Sequence, residues 1–326
     1  MLTGRLLYQL GTESTWATPV TPTVQLIGVT GGNIKDNPTG EVEDDMIGRL
    51  GPSNIAVVFA ADGSASCEGH ALYEDINYPL ESLFGTVSPT GAGPYTRTGA
   101  APLANASPTS PRAFTFYKGD STSGKKLEGA LVNSLTLTGN SKGYLDYSYS
   151  MIGQVVSDGT PAALSSRTVN KVMGSQASLF IDAVGGTVGS TAAASTAFKY
   201  ELTLNGPREL QTYLGNLTPS DWNENKFSGT LKLDMKYDAT AATSLITSML
   251  DKSTATPAQR QIRIVHANGA NLDLRFDFAG SVIEGSEYYN DMNGLVTISV
   301  TLAGTYNTAM GNWFAYRSIN SVSALP

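Results

Sequence analysis

The sequence predicts a mainly β fold with short helices (β+α), built from one structural unit used twice. Three observations predict it. Polar and apolar residues alternate strictly in several segments. In the clearest, Thr230, Lys232, Asp234 and Lys236 point one way and Leu231, Leu233, Met235 and Tyr237 the other, the period of a half-buried strand. Twice such a segment runs into helical spacing, first with Leu72, Ile76, Leu80, Leu83 and Phe84, then with Leu245, Ile246, Met249 and Leu250 behind a capping Asp238. Only 15% of the 326 residues are charged, while Gly, Ser and Thr abound, which suits strands joined by turns.

Taken in order, residues 1–25 read as an extended arm, because Pro19 and Pro22 forbid a regular helix. Trp16 in that arm needs a surface to cover it, on the chain's own body or on a neighbouring subunit. The first unit spans 26–160. A strand ending in a turn at Asn37, Pro38 and Gly40 leads to an acidic loop with Glu41, Glu43, Asp44, Asp45 and Arg49. A strand and a helix split or kinked by Pro79 follow. The segment 85–112, rich in Gly, Pro, Ser and Thr, reads as a mobile or partner-ordered loop. AFTFYK, LVNSLTLTG and YLDYSYSMIG then read as strands, the last two joined through Asn140 to Gly143; Leu145, Tyr147, Tyr149 and Met151 face one way and Asp146, Ser148 and Ser150 the other.

A linker, 161–173, connects to the second unit, 174–326. There a long loop containing Trp222 lies, like the acidic loop, between two strands. After the second helix come QIRIVH, then NLDLRFDFAG, a turn, and LVTISVTLAG. Asp273, Arg275 and Asp277 oppose Leu272, Leu274, Phe276 and Phe278, and Thr297, Ser299 and Thr301 oppose Val296, Ile298, Val300 and Leu302. The order strand, long loop, strand, helix, three strands thus occurs twice.

The inventory excludes most chemistry. Two histidines, His70 at the opening of the first helix and His266 at the end of a strand, read as surface or capping residues, and the single Cys67 as a small apolar residue in a strand. No HExxH or CxxC occurs, and the GxSxG at 139–143 (GNSKG) is the turn joining two strands, with no helix behind it. Residues 119–126 (GDSTSGKK) approach a phosphate loop but put Lys126 where Ser or Thr must meet magnesium, with a strand behind instead of a helix, so they read as a hairpin tip. The acidic loop lacks the spacing of a calcium site. No catalytic residue, metal or cofactor is expected. A net charge of -7 disfavours nonspecific phosphate binding. The opening residues are too polar for a secretory signal, and no run of apolar residues reaches a membrane span.

With the duplicated strands, the covering helix and the absent chemistry in hand, the opening GTESTWATPVTPTVQLIGV, a Gly-x-Glu-x-x-Trp segment before Pro-rich residues, resembles that of the major tail tube proteins of long-tailed (siphovirus-type) bacteriophages. Ala17 stands where that opening would carry Gly. The resemblance implies two tandem tail-tube β-barrel or sandwich units with two fused units per chain, their strands contributing to an intersubunit β-barrel. It implies homotrimeric pseudo-sixfold rings stacked into a tube that delivers DNA, assembled in the bacterial host cytoplasm and residing in the virion tail. Partners would be the tape-measure, tail-tip and tail-terminator proteins, with double-stranded DNA passing unbound and no membrane. Ring and subunit contacts would fall on Trp16, Glu41, Glu43, Asp44, Asp45, Arg49 and Trp222. The lumen would be lined by Asp146, Ser148, Ser150, Thr230, Asp234, Asp273, Asp277, Thr297, Ser299 and Thr301, softened by Lys232, Lys236 and Arg275. The competing readings are another virion or surface assembly protein, such as a decoration protein or adhesin subunit, and a carbohydrate-active β-sandwich enzyme using paired carboxylates.

Overall fold

A computed structural model describes residues 6–42, 56–103, 110–193, 197–237, 259–282, 287–292 and 295–325. The first half holds β1 (Leu7–Thr12), β2 (Val24–Gln25), β3 (Val29–Val42), β4 (Ala56–His70), α1 (Asn77–Phe84) and β5 (Tyr95–Ala100). It continues with β6 (Phe114–Gly119), β7 (Gly124–Asn140), β8 (Leu145–Gly153) and β9 (Val155–Asp158). The second half holds β10 (Ala177–Ala183), β11 (Ala197–Asn205), β12 (Arg208–Gln211), β13 (Asp221–Glu224) and β14 (Ser228–Lys236). It ends with β15 (Gln259–Ala267), β16 (Asp273–Val282), β17 (Glu287–Met292), β18 (Leu295–Gly304) and β19 (Phe314–Asn320).

The architecture turns on β7. Its 17 residues span roughly 55 Å, enough to serve two sheet layers in succession. From Lys125 to Glu128 it pairs with β9, and alongside with β6, which in turn carries β1. At Gly129, whose φ of +65° is open to glycine, the strand changes layer. From Leu131 onward it pairs with β8 on one side and, over Ser134–Asn140, with β11 on the other. Lateral pairing then runs β3-β4-β8-β7-β11-β14-β18 through both halves, with β17 on β18. β10 pairs with β15, β15 with β16, β16 with β19 and β19 with β5.

Among the described residues, 17 strands form one hydrogen-bonded network and β12–β13 form a separate two-stranded ribbon. This corrects the expected fold class of two tail-tube barrel or sandwich units contributing to an intersubunit barrel. The fold is mostly β with some helix, but among the described residues the sheets are not closed into barrels. The physical reason is the β7–β11 pairing: the edge that would have to close one half on itself is spent joining it to the other.

The alternations do select the core. Leu145, Tyr147, Tyr149 and Met151 are buried between exposed or half-buried Asp146, Ser148 and Ser150, and Leu231, Leu233 and Met235 are buried on β14. Each such burial contributes about 1.5–3 kcal/mol. Cys67 is fully buried, and burial pushes its thiol up to about 11. The residues 119–124 form the tip between β6 and β7.

The first helix differs from its expectation. Pro79 neither kinks nor splits it, because it falls in the first turn, where backbone N–H groups have no helical acceptor. Every residue of α1 is buried, so it is enclosed and not a flank. Its polar side chains are met individually: Ser82 Oγ accepts from Val132 N (2.9 Å), Asn77 Oδ1 accepts from Ser318 Oγ (2.6 Å), and Glu81 pairs with Arg112 (2.8 Å) and Arg97 (3.4 Å). The second helix, 245–252, lies outside the described residues, as do Glu43, Asp44, Asp45 and Arg49.

Other expectations are revised. Within 85–112, Tyr95–Ala100 is an ordered strand on β19, because Thr96, Thr98 and Ala100 find Ile319, Arg317 and Ala315 opposite. His70 ends β4 instead of opening a helix. His266 is neither at the surface nor a cap. It is fully buried, its Nδ1 donating to Met173 O (3.1 Å) and its Nε2 accepting from Tyr200 Oη (2.7 Å), and burial holds its pKa down at about 4.

The opening motif has a physical basis. Glu13 Oε1 accepts from Gly129 N (2.9 Å) and Thr115 Oγ1 (2.7 Å), while Trp16 Nε1 donates to Gly129 O (2.8 Å). Acid and indole thus grip the two polar groups of the one glycine at which β7 changes layer. A Cβ on Gly11 would lie 2.6 Å from Thr21 O, which requires the motif's glycine. Ala17 has a φ of +59°, the left-handed conformation that Gly adopts without strain. The arm is therefore extended but built into the sheet through β1 and β2.

Candidate functional site: a polar face across seven strands

Register aligns the outward side chains of β3, β4, β8, β7, β11, β14 and β18 into transverse rows. One row reads His70, Asp146, Thr138, Glu201, Lys232, Thr301. The next reads Gly31, Glu68, Ser148, Thr136, Thr203, Thr230. A third reads Asn33, Ser66, Ser150, Ser134, Asn205. The reverse face of the same strands carries Cys67, Tyr149, Leu135, Leu204, Leu231 and Leu302, all buried. A sheet with one apolar face bound to the core and one polar face left bare is the consequence of period two.

Hydrogen bonds along the face are short-range and mutual: Ser134 Oγ with Ser150 Oγ (2.7 Å), Thr136 Oγ1 with Thr203 Oγ1 (3.3 Å), and Ser299 Oγ donating to Asp234 Oδ1. His70 Nδ1 lies 2.6 Å from Asp146 Oδ1. Two lysines are matched by register, Lys232 opposite Glu201 and Lys199 opposite Asp234, while Lys236 stands opposite Thr297. Such cross-strand pairs neutralise each other locally and leave little net positive field to hold a polyanion.

The structure brings Asp146, Ser148, Ser150, Thr230, Asp234, Ser299 and Thr301 onto this one face. Thr297 shares its side of β18 but is buried. Asp273 and Asp277 are not brought there. They sit on the 273–278 stretch of β16, which pairs with β15 and β19 and with none of the seven strands, Asp277 paired with Arg263 (2.6 Å) and Arg275 (3.4 Å) and Asp273 with Arg317. Arg275 is thereby accounted for as a partner of Asp277 instead of a basic lining residue.

Of the contact candidates, Glu41 is exposed near the end of β3. Trp16 is half-buried against Gly129. Trp222 lies on β13 opposite Leu210, with the Arg208 guanidinium 5.5 Å from its ring centre. Arg208, which no sequence pattern singles out, is buried and organises this ribbon: it donates to Val132 O (2.7 Å), Leu83 O (2.9 Å) and Glu224 Oε1 (3.0 Å). Burial lowers its pKa, and Glu224 opposes that. The loop between β12 and β13 then reaches β4, where Ala61 N donates to Leu217 O (2.9 Å). β19 was also missed, although its buried Phe314, Tyr316 and Ser318 carry a strand period.

Among the described residues no group of three or more His, Cys, Asp or Glu could hold a metal ion, and no helix is long and apolar enough to cross a membrane. No individual curated protein matches the sequence. A family profile described as phage tail tube protein matches residues 5–304, nearly the whole sheet network. A non-catalytic, polar-faced sheet running through both halves agrees with that match, and the chain belongs to the phage tail tube protein family, a structural component of the virion tail.

Proposed function

We propose that this tail-tube protein forms homotrimeric rings of pseudo-sixfold symmetry that stack into the tail tube, with the seven-stranded polar face toward the lumen. The observation that carries the reading is the polar face drawn from both halves, on which hydroxyls predominate and Lys232 and Lys199 stand opposite carboxylates, leaving Lys236 opposite Thr297 as the exception on β14. A conduit for double-stranded DNA must pass it without retaining it, and hydroxyls with locally neutralised charges do so.

Two fused units, 26–160 and 174–326 joined by 161–173, are supported by matching strand pairings. β7 pairs with β9 as β16 does with β19, β3 pairs with β4 as β11 does with β14, and β1, in the arm that precedes the first unit, pairs with β6 as β10 does with β15. Three such chains present six units. Assembly would take place in the host cytoplasm, with tape-measure, tail-tip and tail-terminator proteins as partners and no membrane. Trp222, Glu41 and the segment with Glu43, Asp44, Asp45 and Arg49 remain the proposed contacts between copies.

Electron microscopy of concentrated protein tests this. Hollow tubes whose rings weigh three chains are expected; a chain that stays solitary at every concentration overturns the reading.

A further inference from the structure

The two ends of the sheet carry complementary features. At the end where β7 finishes and β11 begins, a cavity of about 420 Å³ opens, lined among others by Ser141, Gly174, Leu179, Phe198, Lys199 and Ile264. Exposed Lys142 follows Ser141 of its lining, and exposed Lys171, 4.6 Å from the centre of the Tyr144 ring, precedes Gly174 of the lining by three positions. At the opposite end β11 runs out through Gly206, whose N donates to Asn133 O (3.0 Å), into the β12–β13 ribbon. The loop at the ribbon's tip exposes Tyr213 (55%), Leu214 (106%) and Leu217 (54%).

Three apolar side chains bared on one loop need a reason, because a monomer gains nothing by wetting them. The loop is also held in place: Asn216 N donates to Tyr213 O (3.1 Å) and Leu217 O accepts from Ala61 N (2.9 Å). An apex fixed in advance loses little freedom on docking. Exposed Glu209 and Asp221 flank it, opposite in sign to the lysines at the cavity.

We propose that the loop 212–217 of one copy inserts Leu214 into the Phe198–Lys199 cavity of a copy in the next ring. The inference rests on the tail-tube reading and names the contact by which rings stack. Knob and cavity lie at opposite ends of the same strands, so they cannot satisfy each other within one chain, and the contact repeats head to tail without closing. The carboxylates beside the knob meet the lysines beside the cavity and fix polarity.

The test uses two variants of the full chain, Leu214→Glu and Ala192→Trp, the second filling the cavity from an exposed position on its lining. Each alone keeps its fold by circular dichroism and leaves unstacked rings, the concentration needed for stacking rising roughly tenfold or more. Mixed in equal amounts, they retain one good knob and one good cavity between them, and pairs of rings with doubled mass form. Either variant elongating like wild type, or a mixture that does not double, overturns the proposal while wild-type tubes leave the tail-tube reading standing. A wild-type chain that never stacks overturns both.

Discussion

The buried imidazole of His266 makes stability depend on pH in a way that can be worked from the structure. Its Nδ1–H donates to Met173 O and its Nε2 accepts from Tyr200 Oη, so the neutral ring is satisfied on both sides with no carboxylate bonded to it. Burial lowers its pKa from 6.5 to about 4. The unfolded chain therefore binds the proton more readily than the folded one. Stability from this residue is intact above pH 6.5, is lost as the pH falls toward 4, and changes no further below that. Linkage gives a loss of about 2 kcal/mol between pH 7 and pH 5, and about 3 kcal/mol in full. His266→Gln retains an amide donor and acceptor but cannot titrate. Urea denaturation of the unassembled chain should show wild type losing its advantage over the variant by about 2 kcal/mol across that interval. Taking the difference cancels Glu13, Asp75 and Glu81, whose pKa values burial raises and whose effect on stability has the opposite sign. A wild type and variant that respond identically to pH would refute the buried neutral imidazole.

Three further outcomes are expected. Ala17→Gly should stabilise the chain by about 0.5–1 kcal/mol, since it relieves a left-handed alanine at some cost in unfolded-chain entropy; a lower melting temperature contradicts this. Arg208→Ala should cost about 3–5 kcal/mol by removing a buried guanidinium from the Val132 and Leu83 carbonyls and from its pairing with Glu224, and should open the 207–225 ribbon to limited proteolysis; an unchanged digestion pattern argues against Arg208 as its anchor. Cys67 should resist a soluble thiol reagent in the native protein and react on unfolding, because no surface reaches its sulfur and burial keeps it protonated; rapid native labelling would exclude that environment.

Period-two alternation is a local property, which is why β8, β14 and β18 and their buried sides could be read directly from residue order. The inventory of two histidines and one cysteine likewise bounded the chemistry before any geometry was known. Glu13 and Trp16 stood out as a motif, but their common target, Gly129, is more than a hundred positions away and no spacing rule reaches it. Asp273 and Asp277 alternate as neatly as Asp234, yet they face arginines because their part of β16 pairs with β15 and β19 and not with the seven strands. Alternation tells which side chains share a side of their own strand; it carries no information on which sheet the strand joins. Partner choice depends on hydrogen bonds between residues distant in the chain. For that reason only the tertiary structure decided that β7 meets β11, that the halves share one open network, and that seven strands present a single polar surface.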